Sequence, residues 1–185
     1  PPGSHTAVIG ETGAGKTTLI CLMLSLIHPT AGKIILYDNH GRQSECHAGT
    51  RSNFTYVPQG NTLFSGTIRE NLLLGNPYAT EEMQTALIHA CADFVFQLPE
   101  GLDSRCGEQG TGLSEGQSQR IAIARALLRP SGILLFDEAT SSLDTATEKR
   151  LWQNICNHYG NKTLIFVTHR MNIITSETRV LKLSK

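Results

Sequence analysis

Short apolar runs alternate with longer amphipathic stretches at both ends of the chain. Six apolar runs predict strands, and several are continuously apolar, as expected of strands covered on both faces. The predicted strands cover residues 8–9, 33–37, 54–57, 133–136, 164–167 and 180–183. Helical periodicity predicts four helices, over residues 16–27, 80–92, 115–128 and 147–158. Strands alternating with helices indicate an α/β fold with a mainly parallel sheet.

The middle of the chain departs from this alternation. From about residue 60 to residue 129, strand signals are few, and helical and loop patterns prevail. A chain of 185 residues forms one domain of ordinary size. We therefore expect a single domain over residues 1–185, with an α/β core (1–59 and 130–185) and an inserted helical subdomain (60–129).

Composition narrows the class of protein. Sixteen basic and sixteen acidic residues cancel, so charge gives no case for nucleic acid or an anionic membrane surface. Five widely spaced cysteines contain no C-x-x-C pair, which disfavours a zinc site or disulfide framework and fits a reducing cytosolic setting. The longest apolar run, residues 19–27, is too short to span a bilayer, and no signal-peptide pattern is seen. We expect this stretch of chain to be soluble.

A glycine-rich loop joins the first predicted strand to the first predicted helix. Residues 10–18 read GETGAGKTT and fit the phosphate-binding pattern G-x-x-x-x-G-K-[ST]. Glycines let the backbone bend around an anion, and the helix N-terminus adds N–H groups and partial positive charge. Lys16 is expected to reach the β- and γ-phosphates, and the Thr17 hydroxyl to bind Mg²⁺. The alternative is a chance glycine-rich turn, which the flanking strand and helix disfavour.

Two carboxylates end the predicted strand at 133–136. In an open α/β sheet, ligands bind beyond the carboxyl ends of the strands. Asp137 is therefore placed to hold Mg²⁺, directly or through water, and Glu138 could orient and deprotonate an attacking water. The alternative is a solvated strand end, which the phosphate loop upstream disfavours.

A third cluster, residues 113–117, reads LSEGQ. Ser114 and Gln117 fit a capping box, which predicts that a helix begins here. Its N-terminus is a second potential anion site, although an ordinary capped helix is the simpler interpretation.

Three further polar residues, Gln59, Asp144 and His169, follow predicted strands or the two carboxylates. Each could face the same crevice or be merely structural.

Taken in order, these motifs resemble the nucleotide-binding domain of an ABC transporter, a P-loop NTPase, over nearly all of the chain. The matching segments are 10–18 (Walker A), Gln59 (Q-loop), 113–117 (signature), 133–138 (Walker B with its catalytic glutamate), 141–144 (D-loop) and His169 (switch histidine). Residues 61–72, and 98–103 leading to 107–110, resemble the exporter type.

The resemblance implies ATP and Mg²⁺ as ligands and a set of roles. The implied ATP-binding residues are Gly10, Glu11, Thr12, Gly13, Ala14, Gly15, Lys16, Thr17, Thr18 and Gln59. The implied metal-binding residues are Thr17, Gln59 and Asp137. The implied catalytic residues are Glu138 as base, His169 at the γ-phosphate, Gln59 and Lys16. Two such domains are expected to pair head to tail, so that Ser114, Glu115, Gly116 and Gln117 act on the partner's ATP and Asp144 lies at the dimer interface.

The resemblance also implies membrane partners. Transmembrane domains, on the same longer polypeptide, would turn dimer closure and reopening into export at the cytoplasmic face of a membrane. Residues near 59–71 are expected to contact them. Intact motifs favour a homodimer, and a heterodimer stays open.

Two features depart from the family pattern. Glu115 stands where the signature usually has glycine, and because its carboxylate would repel a γ-phosphate, we expect it to face solvent. The chain begins nine residues before Gly10, whereas the family has upstream strands and an adenine-stacking aromatic residue. We therefore expect a fragment that lacks the N-terminal strands of the usual domain.

Two other functions compete with an exporter motor. A soluble ABC-type ATPase acting on DNA would carry long coiled-coil or zinc-bearing insertions, and the sequence shows no heptad run or cysteine cluster. A non-hydrolysing nucleotide switch would be expected to lack Glu138 or His169, and both are present.

Overall fold

The computed structural model describes residues 1–106 and 112–184. The exporter-like stretch 107–110 lies outside the described residues. The strands are β1 (His5–Gly10), β2 (Ile35–Tyr37), β3 (Gln43–Glu45), β4 (Phe54–Val57), β5 (Gly66–Thr67), β6 (Arg105–Cys106), β7 (Ile133–Asp137), β8 (Thr163–Val167) and β9 (Arg179–Leu183). The α-helices are α1 (Lys16–Met23), α2 (Ile68–Leu73), α3 (Thr80–His89), α4 (Glu115–Leu127) and α5 (Thr145–Tyr159). Short 3₁₀ helices lie at Ala48–Asn53, Asp93–Gln97, Gly101–Asp103 and Met171–Ile173.

The chain folds into two compact units. The first comprises residues 1–56, 131–138 and 160–185, and the second comprises 57–130 and 139–159. No helix within the described ranges is long and apolar enough to cross a bilayer.

A five-stranded sheet in the order β4-β7-β8-β1-β9 organises the first unit. The β7–β8, β8–β1 and β1–β9 pairs are parallel, which confirms the predicted α/β fold with a mainly parallel sheet. Asp137 and Val8 both lie beside Val167 in the register. Because β1, β7 and β8 end at the same edge of the sheet, the segments that follow them can contribute residues to a common site.

One predicted strand lies elsewhere. Residues 33–37 were expected to join the α/β sheet, but only Ile35–Tyr37 is extended, and it pairs antiparallel with β3 in a separate hairpin. The partner strand β3 was not predicted. All of its residues are exposed and polar, so it lacks the alternating apolar pattern that marks a half-buried strand.

Helix α1 packs on the sheet and ends earlier than predicted. Its buried Ile20 contributes to a core with Val8, Leu135 and Val167, because these strands are apolar where the helix covers them. The helix stops at Met23 rather than at residue 27 because Ser25 adopts φ 51°. The Leu26 N–H donates to the Cys21 carbonyl at 2.8 Å, which closes a Schellman motif.

The second unit is mainly helical. Helices α2 and α3 pack against α4, and α5 packs against α3. Each of α2, α3 and α4 carries a fully buried apolar side chain: Leu72, Leu87 and Ile121 respectively. The capping box predicted at Ser114 is present: the Gln117 N–H donates to Ser114 Oγ at 3.2 Å, and the Ser114 N–H donates to Gln117 Oε1 at 2.8 Å. The start of α4 at Glu115 is therefore confirmed.

A histidine pair in this unit predicts acid sensitivity. The His89 and His158 rings stack at 3.9 Å between centroids, and the Tyr159 hydroxyl lies 3.1 Å from His89 Nδ1. Burial, followed by the neighbouring His158, lowers the pKa of His89 below the usual 6.5. The unfolded chain therefore binds more protons than the folded chain at mildly acid pH, and the free energy of unfolding should fall as pH drops below about 6.5.

Urea unfolding at about pH 7.5 and pH 5.5 measures this loss. The variant His89→Gln has no titratable group at this position. It should therefore lose less stability between the two pH values than the wild type. Equal losses in the two chains would show that His89 is not the group responsible.

Candidate functional site

The loop before α1 leaves a helix N-terminus open to an anion. Gly15 is the N-cap residue, with φ 93°, and no side-chain hydrogen bond caps α1 in the described part of the chain. Thr67 and Ser114, by contrast, cap α2 and α4 with their hydroxyls. A side chain would be strained at the Gly15 φ, so glycine permits this geometry. The first-turn N–H groups of α1 are therefore available to a phosphate.

Gly10, at the start of the same loop, is required for a different reason. A Cβ at this position would lie 2.7 Å from the Leu183 carbonyl oxygen on β9. Close packing of two strands, rather than backbone freedom, thus excludes a side chain here.

The Lys16 ammonium lies inside the loop. Its Nζ donates to the Gly10 carbonyl at 2.8 Å and to the Glu11 carbonyl at 2.9 Å. Lys16 is only 8% exposed, so these two bonds compensate the charge for lost hydration. The loop thus holds a preorganised positive charge at the helix N-terminus, as a polyphosphate site requires.

Asp137, at the end of β7, is approached by two hydroxyls. Thr17 Oγ1 lies 3.4 Å and Tyr56 Oη lies 3.2 Å from the same carboxylate oxygen, Oδ2. Asp137 is 7% exposed. Burial, with the adjacent Asp137 carboxylate, raises the pKa of Tyr56 to about 12, so its hydroxyl stays protonated and can donate.

Tyr56 is not predicted from the sequence. Its contact with Asp137 depends on β4 lying beside β7, and no local sequence pattern specifies the order of strands in a sheet.

The Thr17–Asp137 pair has the donor chemistry of a magnesium site. Mg²⁺ prefers oxygen ligands and keeps several waters, so one hydroxyl and one carboxylate beside a phosphate suffice. Within residues 1–106 and 112–184, no group of three or more His, Cys, Asp or Glu side chains is arranged to hold a metal ion. A protein-only metal cage is therefore not what the described residues offer.

Glu138 and His169 are in contact at the same edge of the sheet, where Glu138 follows β7 and His169 follows β8. Glu138 Oε1 is 2.9 Å from His169 Nε2, and the Glu138 N–H donates to the Val167 carbonyl at 3.2 Å. Glu138 holds a positive φ of 50°. The carboxylate is thus oriented by a neighbouring imidazole, an arrangement typical of a general base.

The remaining predicted residues belong to the second unit. Gln59 is exposed beyond β4, and the exposed Glu115 follows the Ser114 cap. Asp144 Oδ1 accepts the Thr147 N–H at 2.9 Å and so caps α5, a local role that the sequence analysis did not predict. Hydrogen bonding by Thr147, chiefly through its side chain and then through its N–H, holds the pKa of Asp144 below its usual range. The roles of these residues in binding or dimerisation stay predictions.

The strand–loop–helix unit, with carboxylates ending β7 two places along the same sheet, defines a P-loop nucleotide-binding protein. A model of the ABC transporter family matches residues 1–141. The chain therefore belongs to the ABC transporter family, and it is an ATP-binding domain of that family.

Individual relatives span several kinds of organism. The chain is 38% identical to the uncharacterized ABC transporter ATP-binding protein y4gM of Sinorhizobium fredii, over 98% of the chain and 31% of the relative. It is 40% identical to ATP-binding cassette sub-family C member 10 of Mus musculus, over 98% of the chain and 12% of the relative. It is 39% identical to the Beta-(1-->2)glucan export ATP-binding/permease protein NdvA of Brucella melitensis, over 100% of the chain and 31% of the relative.

A solved structure of a bacterial Atm1-family ABC exporter with ATP bound is similar along the whole chain. The TM-score is 0.86 at 34% identity, covering 100% of this chain and 33% of the exporter chain. The chain thus spans about a third of the exporter and of the bacterial relatives.

Proposed function

We propose that this chain is the motor domain of an ABC exporter, in which ATP-driven head-to-tail dimerisation drives transport through transmembrane domains. The relatives named as export or permease proteins, and the ATP-bound exporter structure, support this proposal. The transported substrate would be set by membrane segments outside this sequence.

The Glu138–His169 contact is the observation that carries the proposal. A carboxylate oriented at 2.9 Å by an imidazole, directly after the strand that bears Asp137, suits a base that activates water. His169 orients this base and would contact the γ-phosphate. A nucleotide switch without hydrolysis has no use for such a pair.

Phosphate binding is assigned to Lys16 and the amides of residues 10–18. Thr17 and Asp137 would hold Mg²⁺, and the family pattern adds Gln59 beside the metal and the attacking water. Bound Mg²⁺ would supply neutralisation of charge on the β- and γ-phosphates.

The second half of the site would come from a partner. The capped N-terminus of α4, residues 114–117, is proposed to close over the partner's ATP, with Asp144 at the interface. The exposed Glu115 carboxylate lies at the first turn of α4, where negative charge favours the helix. A carboxylate kept in solvent would leave the γ-phosphate to Ser114 and Gly116.

A hydrophobic groove in the second unit suits a segment of the transmembrane domain. It has a volume of about 830 Å³ and is lined in part by Phe64, Leu73, Leu74 and Pro77. Phe64 and Leu74 are 41% and 46% exposed, and adjacent exposed apolar side chains mark interaction surfaces. The permease segments of the NdvA relative make a membrane-domain segment the proposed occupant.

The dependence of ATP turnover on protein concentration tests the proposal. In a head-to-tail dimer, turnover at saturating ATP and Mg²⁺ should rise faster than linearly with chain concentration. Strictly linear turnover would contradict the dimer, and nucleotide binding with no turnover at any concentration, including in a longer polypeptide, would favour a switch.

Tyr56→Phe should weaken Mg²⁺ binding. The substitution removes the hydroxyl that donates to Asp137 Oδ2 while keeping the ring. Residues that orient a metal ligand typically contribute about 10- to 100-fold in metal affinity, so the apparent Mg²⁺ affinity should fall at least about tenfold. Mn²⁺ binding followed by electron paramagnetic resonance, alongside Mg²⁺ titration of turnover, measures this.

The exposed Tyr37 supplies the matched control, Tyr37→Phe. Unchanged metal affinity in Tyr56→Phe would mean that Thr17 and the backbone alone orient Asp137.

A further inference from the structure

Residues 139–144, here called loop 139–144, pack against the first half of α4. A Cβ at Gly116 would lie 3.0 Å from the Ser142 carbonyl oxygen and 3.3 Å from Leu143 Cδ2. Contacts this short leave little space for a side chain on α4. The absence of one at Gly116 therefore lets the helix and the loop approach closely.

Gln119, one turn further along α4, bonds the same loop through both ends of its amide. Its Nε2 donates to Ser141 Oγ at 3.4 Å, and its Oε1 accepts the Ser142 N–H at 3.4 Å. Gln119 is 1% exposed. Since a buried amide loses free energy when its partners are removed, these two long bonds favour one orientation of the loop.

The loop is also anchored on α5. Thr140 Oγ1 donates to Glu148 Oε1 at 2.6 Å, and both residues are buried. At the other end, Asp144 caps α5 through the Thr147 N–H. The two ends are thus held by α5, and the middle is held by Gln119 on α4.

We propose that Gln119 is a positioning residue that fixes loop 139–144 to α4. Residues 114–117 and Asp144 would then meet the partner's nucleotide as one preformed block, and less conformational freedom would be lost on dimerisation. This inference rests on the proposed head-to-tail dimer, and it assigns a role to a buried residue outside the proposed nucleotide-contacting set 114–117.

The test uses the full chain and three variants. Gln119→Ala removes both bonds, and Gln119→Glu keeps the acceptor for the Ser142 N–H. Gln153→Ala, at an exposed glutamine of α5, is the matched control. For dimerisation measurements every chain also carries Glu138→Gln, so that hydrolysis does not reopen the dimer.

Amide hydrogen exchange without nucleotide is the first measurement. Gln119→Ala should speed exchange at the Ser142 amide about three- to tenfold, as expected for loss of one hydrogen bond. In the control variant Gln153→Ala, unfolding of the whole chain should be unaffected. Gln119→Glu should retain most of the protection. Equal Ser142 exchange in Gln119→Ala and wild type would overturn the proposal, whether or not the chain dimerises.

Sedimentation with ATP is the second measurement. Gln119→Ala should raise the dimer dissociation constant about tenfold while ATP affinity of the monomer stays within about twofold. Faster Ser142 exchange with unchanged dimerisation would also overturn the proposal. If the parent chain forms no dimer with ATP, the proposed head-to-tail dimer itself fails, and the exchange measurement still decides whether Gln119 holds the loop.

Discussion

Glu138→Gln should abolish ATP turnover while leaving nucleotide binding intact. The amide keeps the size of the carboxylate and a contact to His169, but it cannot accept a proton from water. General-base catalysis typically contributes about 10²- to 10⁴-fold to a rate, so turnover should fall by at least about 100-fold. Phosphate release at saturating ATP, with ATP affinity measured by calorimetry on the same preparation, checks both halves of this expectation.

The exposed Glu177 offers the control Glu177→Gln in the same unit. This variant should turn over ATP as the wild type does. Retained turnover in Glu138→Gln would move the base elsewhere, and the Glu138–His169 contact would then be a surface polar contact that contributes little to stability.

Lys16→Ala should lose nucleotide affinity rather than turnover alone. Hydrogen bonds to charged groups contribute about 1.5–3 kcal/mol each, so the ATP dissociation constant should rise about 10- to 100-fold. The Gly10 and Glu11 carbonyls would lose their common donor as well, which should loosen the empty loop. Calorimetric titration with Mg²⁺–ATP, and hydrogen exchange over residues 10–15, measure the two effects.

Lys33→Ala, at an exposed lysine of the same unit, controls for the loss of one positive charge. Lys16→Arg sharpens the test, because it keeps the positive charge but replaces the compact ammonium with a larger, planar guanidinium. ATP affinity unaltered in Lys16→Ala would place phosphate recognition on the backbone amides alone.

Strong local patterns predicted the parts of the fold that depend on a few adjacent residues. The run at 133–136 identified β7 because strands buried on both faces are continuously apolar. The Ser114–Gln117 pair identified the start of α4 because its two hydrogen bonds join neighbours in sequence.

Helix ends were less predictable. Helix α1 ends shortly before Ser25, which has a left-handed backbone, and α3 ends at His89, shortly before Cys91, which is also left-handed with φ 55°. Glycine is the usual residue in that conformation, and neither Ser25 nor Cys91 gives that signal. An arginine distant in sequence contributes at each end: Arg51 donates to the Leu24 carbonyl at 2.7 Å, and Arg120 to the Cys91 carbonyl at 2.6 Å.

In the candidate site, too, contacts between residues close in sequence could be predicted, and contacts between distant residues could not. Lys16 could be assigned from the loop motif, because its partners lie within six residues. The contact of Tyr56 with Asp137, 81 residues apart, depends on the order of strands in the sheet, and that of Gln119 with Ser142 depends on tertiary packing. Their residue types carry no signal of their own.

The backbone at Glu138 sets a conflict between folding and chemistry. Its φ of 50° is left-handed, a conformation that costs residues other than glycine roughly 1–2 kcal/mol. Net stabilities of domains are only about 5–15 kcal/mol, so this one position weakens the fold appreciably. Glycine or asparagine would relieve the strain and remove the proposed base. In a copy of this chain that is no longer selected for ATP hydrolysis, glycine or asparagine would therefore be expected to replace Glu138. That copy would become harder to unfold as it loses activity.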